Sequence, residues 1–439
     1  MIQRLTNFFV KLMQKYLPDP FLFAIILTFI VFLAGLGLTE SSPMQMVEYW
    51  AGGFWNLLAF SMQMVLVLVT GFVLANSPIF KKILGAIAAI AKTPGQGIIL
   101  VGVVSAIASF INWGFGLVIG ALVAKEVARR IENVHYPLLI ATAYMGFLVW
   151  HGGLSGSIPL TIAGEKHFLV ESIGVIPTSE TIFAPFNLII ALAIMVVIPI
   201  LARFMMPSKE NTFTIDKSLL AETESAATSS VAMTPADKLE NSPIVSVLIS
   251  GMGLVYIIYY FKTKGFVLNL DIVNFIFLML GILLHWRPKN FLRSLSEAIK
   301  GSAGIVVQFP FYAGIMGMMV TSGLAALMSE WFVSISNENT FPLFTFLSAG
   351  LVNIFVPSGG GQWAVQAPIM IPAGLELGVD TAKTAMAVAW GDAWTNMIQP
   401  FWALPALGIA GLGAKDIMGY TTVALLVSGV IISLGFLIL

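Results

Sequence analysis

Val356-Pro357-Ser358-Gly359-Gly360-Gly361-Gln362-Trp363 interrupts a run, residues 339–375, that holds no Asp, Glu, Lys or Arg. A run of this kind is long enough to cross a bilayer, which takes roughly 20 apolar residues as a helix. Proline removes a backbone donor and serial glycines weaken a helix, so the spacing predicts that the helix stops here. Backbone freed inside hydrocarbon must be satisfied by protein, water or a ligand. The stretch therefore reads as a re-entrant hairpin. One helix enters, the chain turns at Ser358–Gly361, and a second helix leaves with its positive dipole end at the tip. Ser358, Gly359, Gly360, Gly361, Gln362 and Trp363 become candidate binding residues, and a carboxylate is the natural guest.

The rest of the chain agrees with a membrane. It has 439 residues, with Lys+Arg 22 and Asp+Glu 22, 58% hydrophobic and only 10% charged. Soluble domains carry about 25% charge. A soluble enzyme of this size, a basic nucleic-acid binder and a disordered scaffold are all poor fits. Charge-free stretches also separate Glu48 from Lys81, Lys92 from Lys125, and Glu180 from Arg203, and Ile417–Leu439 has none. There is no cysteine, hence no disulfide framework, thiolate metal site or cysteine nucleophile. The first apolar run lacks a small-residue cleavage site and reads as a retained helix.

Apolar segments are expected at about 20–38, 55–76, 97–112, 114–128, 137–150 and 182–203. A second series falls at about 243–261, 271–286, 302–322, 342–356, 362–375, 384–395, 398–412 and 417–439. Arg4, Lys11 and Lys15 mark an amphipathic cytoplasmic lead-in. Residues 207–242 form a hydrophilic, mobile linker with Glu210, Asp216, Glu222, Glu224 and the run Ala226-Ala227-Thr228-Ser229-Ser230. The expected division is a repeat at 1–206, the cytoplasmic linker at 207–242, and a second repeat at 243–439 opened by an extra helix at 243–261.

Basic residues set the orientation. Lys81, Lys82 and Lys92, then Lys125, Arg129 and Arg130, then Arg287, Lys289, Arg293 and Lys300 face inward. The loops holding Glu40 and Glu48, and Glu330 and Glu338, lack basic residues and face outward. Gln63 and Gln308, Ser77 and Ser322, and Gly146 and Gly391 are each 245 positions apart. Asn112 and Asn353 are 241 apart, and Asp19 and Asp271, each opening an apolar run, are 252 apart. The charge bias then makes the halves inverted, the signature of secondary transporters. The expected fold is an all-α polytopic membrane protein, an inverted-repeat secondary transporter with two re-entrant hairpins and two broken helices.

The first hairpin's tip is Ser109-Phe110-Ile111-Asn112-Trp113-Gly114-Phe115-Gly116, where Asn112 offers a donor and an acceptor. The broken helices are His151-Gly152-Gly153-Leu154-Ser155-Gly156-Ser157-Ile158-Pro159 and Trp390-Gly391-Asp392-Ala393-Trp394-Thr395-Asn396-Met397-Ile398-Gln399-Pro400, with His151 and Asn396 again 245 apart. Candidate binding residues here are His151, Ser155, Ser157, Asn396 and Gln399. Asp392 is the sole charge between Lys383 and Lys415. A carboxylate at depth costs at least ~2.5 kcal/mol and tends to serve an ion or proton path. Asp392 with Thr395 and Asn396 is thus the candidate cation-coupling set, for H+ or Na+. Trp150, Trp363, Trp390, Trp394 and Trp402 gather around the breaks and suit either walls or packing. No metal-spaced His pair, Walker-type phosphate loop or dinucleotide fingerprint occurs, and no certain metal site or other cofactor is expected. The serines near His151 lack a nucleophile-elbow pattern, so an enzyme is not expected.

Pro18-Asp19-Pro20-Phe21, Trp150 to Ser157, Val356 to Pro368, and Trp390 to Asn396 with Gln399-Pro400 closely resemble the bacterial short-chain fatty acid transporter family (AtoE type). The resemblance implies uptake of monocarboxylates such as butyrate or acetoacetate across the bacterial inner membrane by a multi-pass carrier. Its partners would be a small carboxylate and the bilayer, with no nucleic acid, and a homo-oligomer is compatible. No Arg or Lys lies near the breaks to clamp two carboxylates, which favours a monocarboxylate over a dicarboxylate or other organic anion. A passive anion channel is the alternative from another class.

Overall fold

The computed structural model describes residues 2–165, 167, 169–215, 234–265 and 270–439. Asp216, Glu222, Glu224 and Ala226–Ser230 of the expected linker lie outside them. The first helices are α1 (Ile2–Tyr16), α2 (Pro20–Leu38), α3 (Pro43–Gly53), α4 (Leu58–Ala75), α5 (Pro78–Ala88), α6 (Pro94–Ile111), α7 (Trp113–Arg130), α8 (Tyr136–Met145), α9 (Ser157–Ile162) and α10 (Pro185–Phe204). The second ten are α11 (Pro243–Lys264), α12 (Leu270–His285), α13 (Pro288–Ala298), α14 (Ala303–Thr321), α15 (Leu324–Ser334), α16 (Phe341–Asn353), α17 (Gly359–Glu376), α18 (Thr381–Thr395), α19 (Leu404–Ala410) and α20 (Ala414–Ile438). Apart from the short helices Val170–Ile173 and Pro235–Glu240, each helix from α2 onward recurs ten places later. The short helices α3 and α5 return as α13 and α15, and the hairpin α6–α7 as α16–α17. Basic Lys81 and Lys82 on α5 correspond to a basic-free α15, and α3 with Glu48 corresponds to α13 with Lys289 and Arg293. Repeat partners thus carry opposite charge bias, so the repeat is inverted.

Local chemistry sets the helix starts. Asp19, Ser42, Ser77, Thr93 and Asp380 each accept a first-turn amide hydrogen through the side chain. Proline opens α2, α3, α5 and α6 at the position where its missing N–H costs nothing. Seven helical stretches among the described residues are long and apolar enough to cross a membrane. On α2 and α11 many large apolar side chains stay exposed, including Phe29, Leu33, Leu248 and Met252. Apolar faces of this extent suit lipid, not water. By contrast every residue of α8 and nearly every residue of α18 is buried.

Glycine decides how closely the helices approach. A Cβ on Gly53 of α3 would stand 2.7 Å from Ala313 O and 2.8 Å from Gly317 Cα of α14. A segment expected as plain outward loop is therefore partly a helix docked backbone to backbone. Near the hairpin, Gly116 lies over Ser109, and Gly120 and Gly146 over Ser105, closing α6, α7 and α8 together. The amphipathic α1 crosses α20 with Val10 against Gly419.

The start of the expected mobile linker is tethered. Tyr136 N–H donates to Phe213 O at 2.9 Å, and Phe213 N–H donates to His135 Nδ1 at 2.9 Å. His135 Nε2 then pairs with Tyr420 OH at 2.8 Å. Both ring nitrogens are thus occupied, Nδ1 by an amide hydrogen, which leaves no easy place for a second proton. Burial lowers the His135 pKa from the usual 6.5 to about 4.

Two outcomes follow from this packing. Gly317→Val overfills a contact whose neighbours are backbone, and should cost about 1–3 kcal/mol. Gly37→Val, which meets nothing within 4 Å, should leave thermal unfolding in detergent unchanged. The depressed His135 pKa means that the docked segment is favoured above the free histidine's ~6.5 and weakened as pH falls toward 4. The protection factor of the Phe213 amide, its exchange rate relative to the unstructured amide at the same pH, should therefore fall across that interval, and His135→Phe should flatten the dependence.

Candidate functional site

Each hairpin tip is a helix N-terminus capped by one extended residue. Asn112 (φ −154°, ψ 125°) separates α6 from α7, and its Oδ1 accepts Phe115 N–H at 3.0 Å. Ser358 (φ −149°, ψ 109°) does the same for α17, its Oγ accepting Gly361 N–H at 3.4 Å. The turn of the second hairpin differs from the sequence expectation. Residues 354–358 make it, and Gly359, Gly360 and Gly361 form the first turn of α17. First-turn amides have no intrahelical acceptor, so glycine costs little there while leaving them accessible.

The broken helices lie against these tips. After α8 a 3-10 turn at Gly146–Val149 leads into a non-helical stretch, 150–156, before α9. Within it, Ser155 Oγ accepts Trp113 N–H at 2.9 Å, and Leu154 N–H donates to Phe110 O at 2.7 Å. The first break is thereby stitched to the first tip. A Cβ on Gly359 would stand 2.7 Å from His151 Cε1 and 3.2 Å from Ser157 Cβ. The same break therefore also touches the second tip.

His151 joins the two halves. Its Nε2 accepts Ile158 N–H at 3.1 Å, so the ring proton sits on Nδ1. That proton is donated to Asp392 Oδ2 at 2.7 Å. Both side chains are fully buried. Asp392 Oδ1, equally buried, meets no hydrogen-bond partner among the described residues. Trp150 stacks on the imidazole at 4.1 Å. It belongs to an aromatic group in which Trp113 and Trp402 are 5.2 Å apart and Trp150 and Trp402 5.9 Å apart.

The second break begins at Asn396, after α18. Asn353 at the end of α16 donates to Thr395 Oγ1 at 3.0 Å and Asn396 Oδ1 at 2.9 Å. Asn396 Oδ1 also accepts from Gln399 Nε2 at 3.3 Å, and Thr395 Oγ1 donates to Gly350 O at 2.7 Å. Asn396 Nδ2, Gln399 Oε1, Trp150 Nε1, Trp363 Nε1 and Trp402 Nε1 are buried and unpartnered among the described residues.

The sequence-derived candidates thus fall into groups. His151, Ser157, Gly359 and Asp392 come together, as do Thr395, Asn396 and Gln399. Asn112 and Ser155 serve the first tip, and Ser358 caps the second. Gln362 instead binds Ala349 O and Gln366 Oε1, and Gln366 reaches Ser329 and Ser348. Gly360 is exposed, with open space around its Cβ position. Sequence reasoning missed Asn187, whose Nδ2 donates to Gly152 O and Ile182 O while its Oδ1 accepts Trp390 Nε1–H at 2.8 Å. It is the lone amide in an otherwise apolar span, which was the available signal. Tyr144, donating to Asn396 O at 2.8 Å, was also missed.

Steric room separates two neighbouring glycines. Gly359→Ala should cost about 1–3 kcal/mol, because its Cβ must displace the histidine ring. Gly360→Ala should change thermal unfolding by no more than about 0.5 kcal/mol. Equal effects from both would contradict the tip's placement against His151.

The chain matches a family model described as short chain fatty acid transporter over residues 1–439. A protein of Escherichia coli K12, described as a candidate short-chain fatty acid transporter, is 48% identical over 436 residues, 99% of each chain. A Haemophilus influenzae protein of the same description is 47% identical over 443 aligned positions, again 99% of each. Among solved structures, the YdaH transporter of Alcanivorax borkumensis is 17% identical with a TM-score of 0.43, covering 95% of this chain and 98% of that one.

Proposed function

The chain belongs to the short chain fatty acid transporter family, and we propose that it moves small monocarboxylates such as butyrate or acetoacetate across the bacterial inner membrane by cation-coupled symport. The observation that carries this reading is the meeting of two capped helix N-termini and two helix breaks around buried, unpartnered polar atoms, with no Lys or Arg in 136–162, 339–375 or 384–414. A single carboxylate can be held by neutral donors alone: the first amides of α17, the Asn396 amide and the indole N–H groups of Trp150 and Trp402. A second carboxylate would find no cation, which weighs against dicarboxylates. The aromatic group suits a short apolar tail.

In this reading the repeats at 1–206 and 243–439 flank the site and the segment 207–242 links them on the cytoplasmic side. Ser358, Gly359 and Gly360 meet the carboxylate, and Asn112 and Ser155 shape the opposite tip. Asp392 is the residue through which the driving cation acts.

The test is uptake of labelled butyrate, acetoacetate, hexanoate and succinate by the purified protein in proteoliposomes, with protein-free vesicles subtracted. The four-carbon monocarboxylates should compete with one another and be taken up at least tenfold faster than succinate. Gly360→Val should abolish uptake while leaving thermal unfolding near the parent's, since nothing packs at that position. Preferred uptake of succinate would turn the assignment to a dicarboxylate carrier, and normal transport by the variant would remove the second tip from the site.

A further inference from the structure

We infer that the coupled cation is a proton, taken up on Asp392 Oδ1 while His151 holds Oδ2, and that its arrival is what permits the anionic substrate to bind. This rests on the transport reading above and specifies its driving ion.

The donor set argues the case. Asp392 has two oxygens with different fates. Oδ2 accepts the His151 Nδ1–H, and the tautomer is locked because Nε2 accepts Ile158 N–H. Oδ1 is buried without a partner among the described residues. One bare oxygen is a complete site for a proton. It is a poor beginning for sodium, a hard cation that gathers several oxygens. Of the oxygens one turn away, the two in the expected coupling set, Thr395 Oγ1 and Asn396 Oδ1, are already committed, while Asn353 Oδ1 and Gln399 Oε1 are buried without a partner among the described residues. Thr395 Oγ1 accepts an Asn353 N–H and spends its own proton on Gly350 O. Asn396 Oδ1 accepts from both Asn353 and Gln399. An oxygen faced by N–H donors has its lone pairs turned from a cation.

Charge supplies the coupling. With neutral His151, the pair carries one negative charge in a fully buried place. The elements packed on it bring no basic side chain from their middle turns, the nearest in sequence being Lys383 in the first turn of α18 and Lys415 in the first turn of α20. No Lys or Arg occurs in α9, α16 or α8, in α17, or in the two breaks, and α10 has Arg203 only in its last turn. The titratable groups on these elements are Tyr136 and Tyr144 of α8 and Glu376 at the far end of α17; α18 itself starts with Asp380 as its cap and Lys383, and α20, which also packs on it, has Lys415, Asp416 and Tyr420 in its first two turns. A substrate carboxylate brought beside ionised Asp392 would meet a like charge at low dielectric. Once a proton from the outer aqueous phase forms an O–H bond at Oδ1, the repulsion ends. The site then carries the one negative charge of the substrate. Release of that proton to the inner aqueous phase restores the carboxylate and expels the anion. One proton accompanies one anion, so the cycle moves no net charge. Contact of His151 and Ser157 with Gly359 places the second hairpin tip where it senses this change.

The experiment uses the full-length protein in proteoliposomes with trapped pyranine and a valinomycin-clamped potential. Acetoacetate added at pH 7.5 should acidify the lumen in proportion to uptake, one proton per anion beyond protein-free vesicles. Neither a sodium gradient nor the imposed potential should alter the rate. Substrate affinity, read from tryptophan quenching, should fall about tenfold per pH unit once Asp392 ionises, as single-proton linkage requires. In Asp392→Asn the affinity should be independent of pH and gradient-driven accumulation lost. Accumulation driven by sodium alone, with affinity insensitive to pH in the parent, would overturn the inference and leave the transport reading standing. Failure to bind or carry any of the acids would overturn both. Should Asp392→Asn fail to assemble, the parent's proton count and its pH-dependent affinity decide by themselves.

Discussion

One hydrogen bond, from His151 Nδ1 to Asp392 Oδ2, joins the two halves of the chain at the depth where both of their helices are interrupted. A buried carboxylate is costly unless paired, and pairing it commits the surrounding chain. His151 can face Asp392 only because the chain after α8 stops being helical, which frees Ile158 N–H to fix the ring. The opened backbone must in turn be satisfied, and the protein does so locally. Ser155 and Leu154 bind the first hairpin tip, and Asn187 takes Gly152 O and ties it to Trp390. The two tips, the two breaks and α10 are therefore parts of one polar arrangement inside an apolar shell.

Much of the architecture was legible because membrane chains place their few polar residues under strong constraint. Prolines and capping side chains mark the helix starts, and charge-free gaps mark the spans. The repeat was visible in spacing, and the recurrence of the main helices ten places later gives that spacing its structural meaning, except that Asn112 answers to Ser358, the cap of the second tip, and not to Asn353, which ends α16. The glycine triplet was read as the turn itself, and it is the first turn of α17. Composition alone does not separate these cases, since glycine is cheap both in a turn and at a helix start. Ser358, which caps that start, was the discriminating residue.

The site was legible in its members more than in its pairings. Asp392 stood out as a lone charge, but its partner lies 241 positions away and is not its repeat mate. The internal repeat aligns His151 with Asn396, so symmetry reasoning pointed past the actual contact. Gln362 looked like a ligand donor from its place beside the glycines. One helical step turns it inward to Ala349 and Gln366. The docking of Phe213 on His135 was also beyond sequence reading, since backbone groups make the contact.

The central claim is that His151 and Asp392 act as one unit across the halves, and a double-mutant cycle on unfolding in mixed micelles tests it most directly. His151→Gln and Asp392→Asn should each cost about 3 kcal/mol when made singly, because each leaves a buried polar partner behind. The double variant should cost no more than either single change, a coupling of about 3 kcal/mol. Strictly additive losses would mean that the two side chains stand near each other without depending on each other, and would contradict the account.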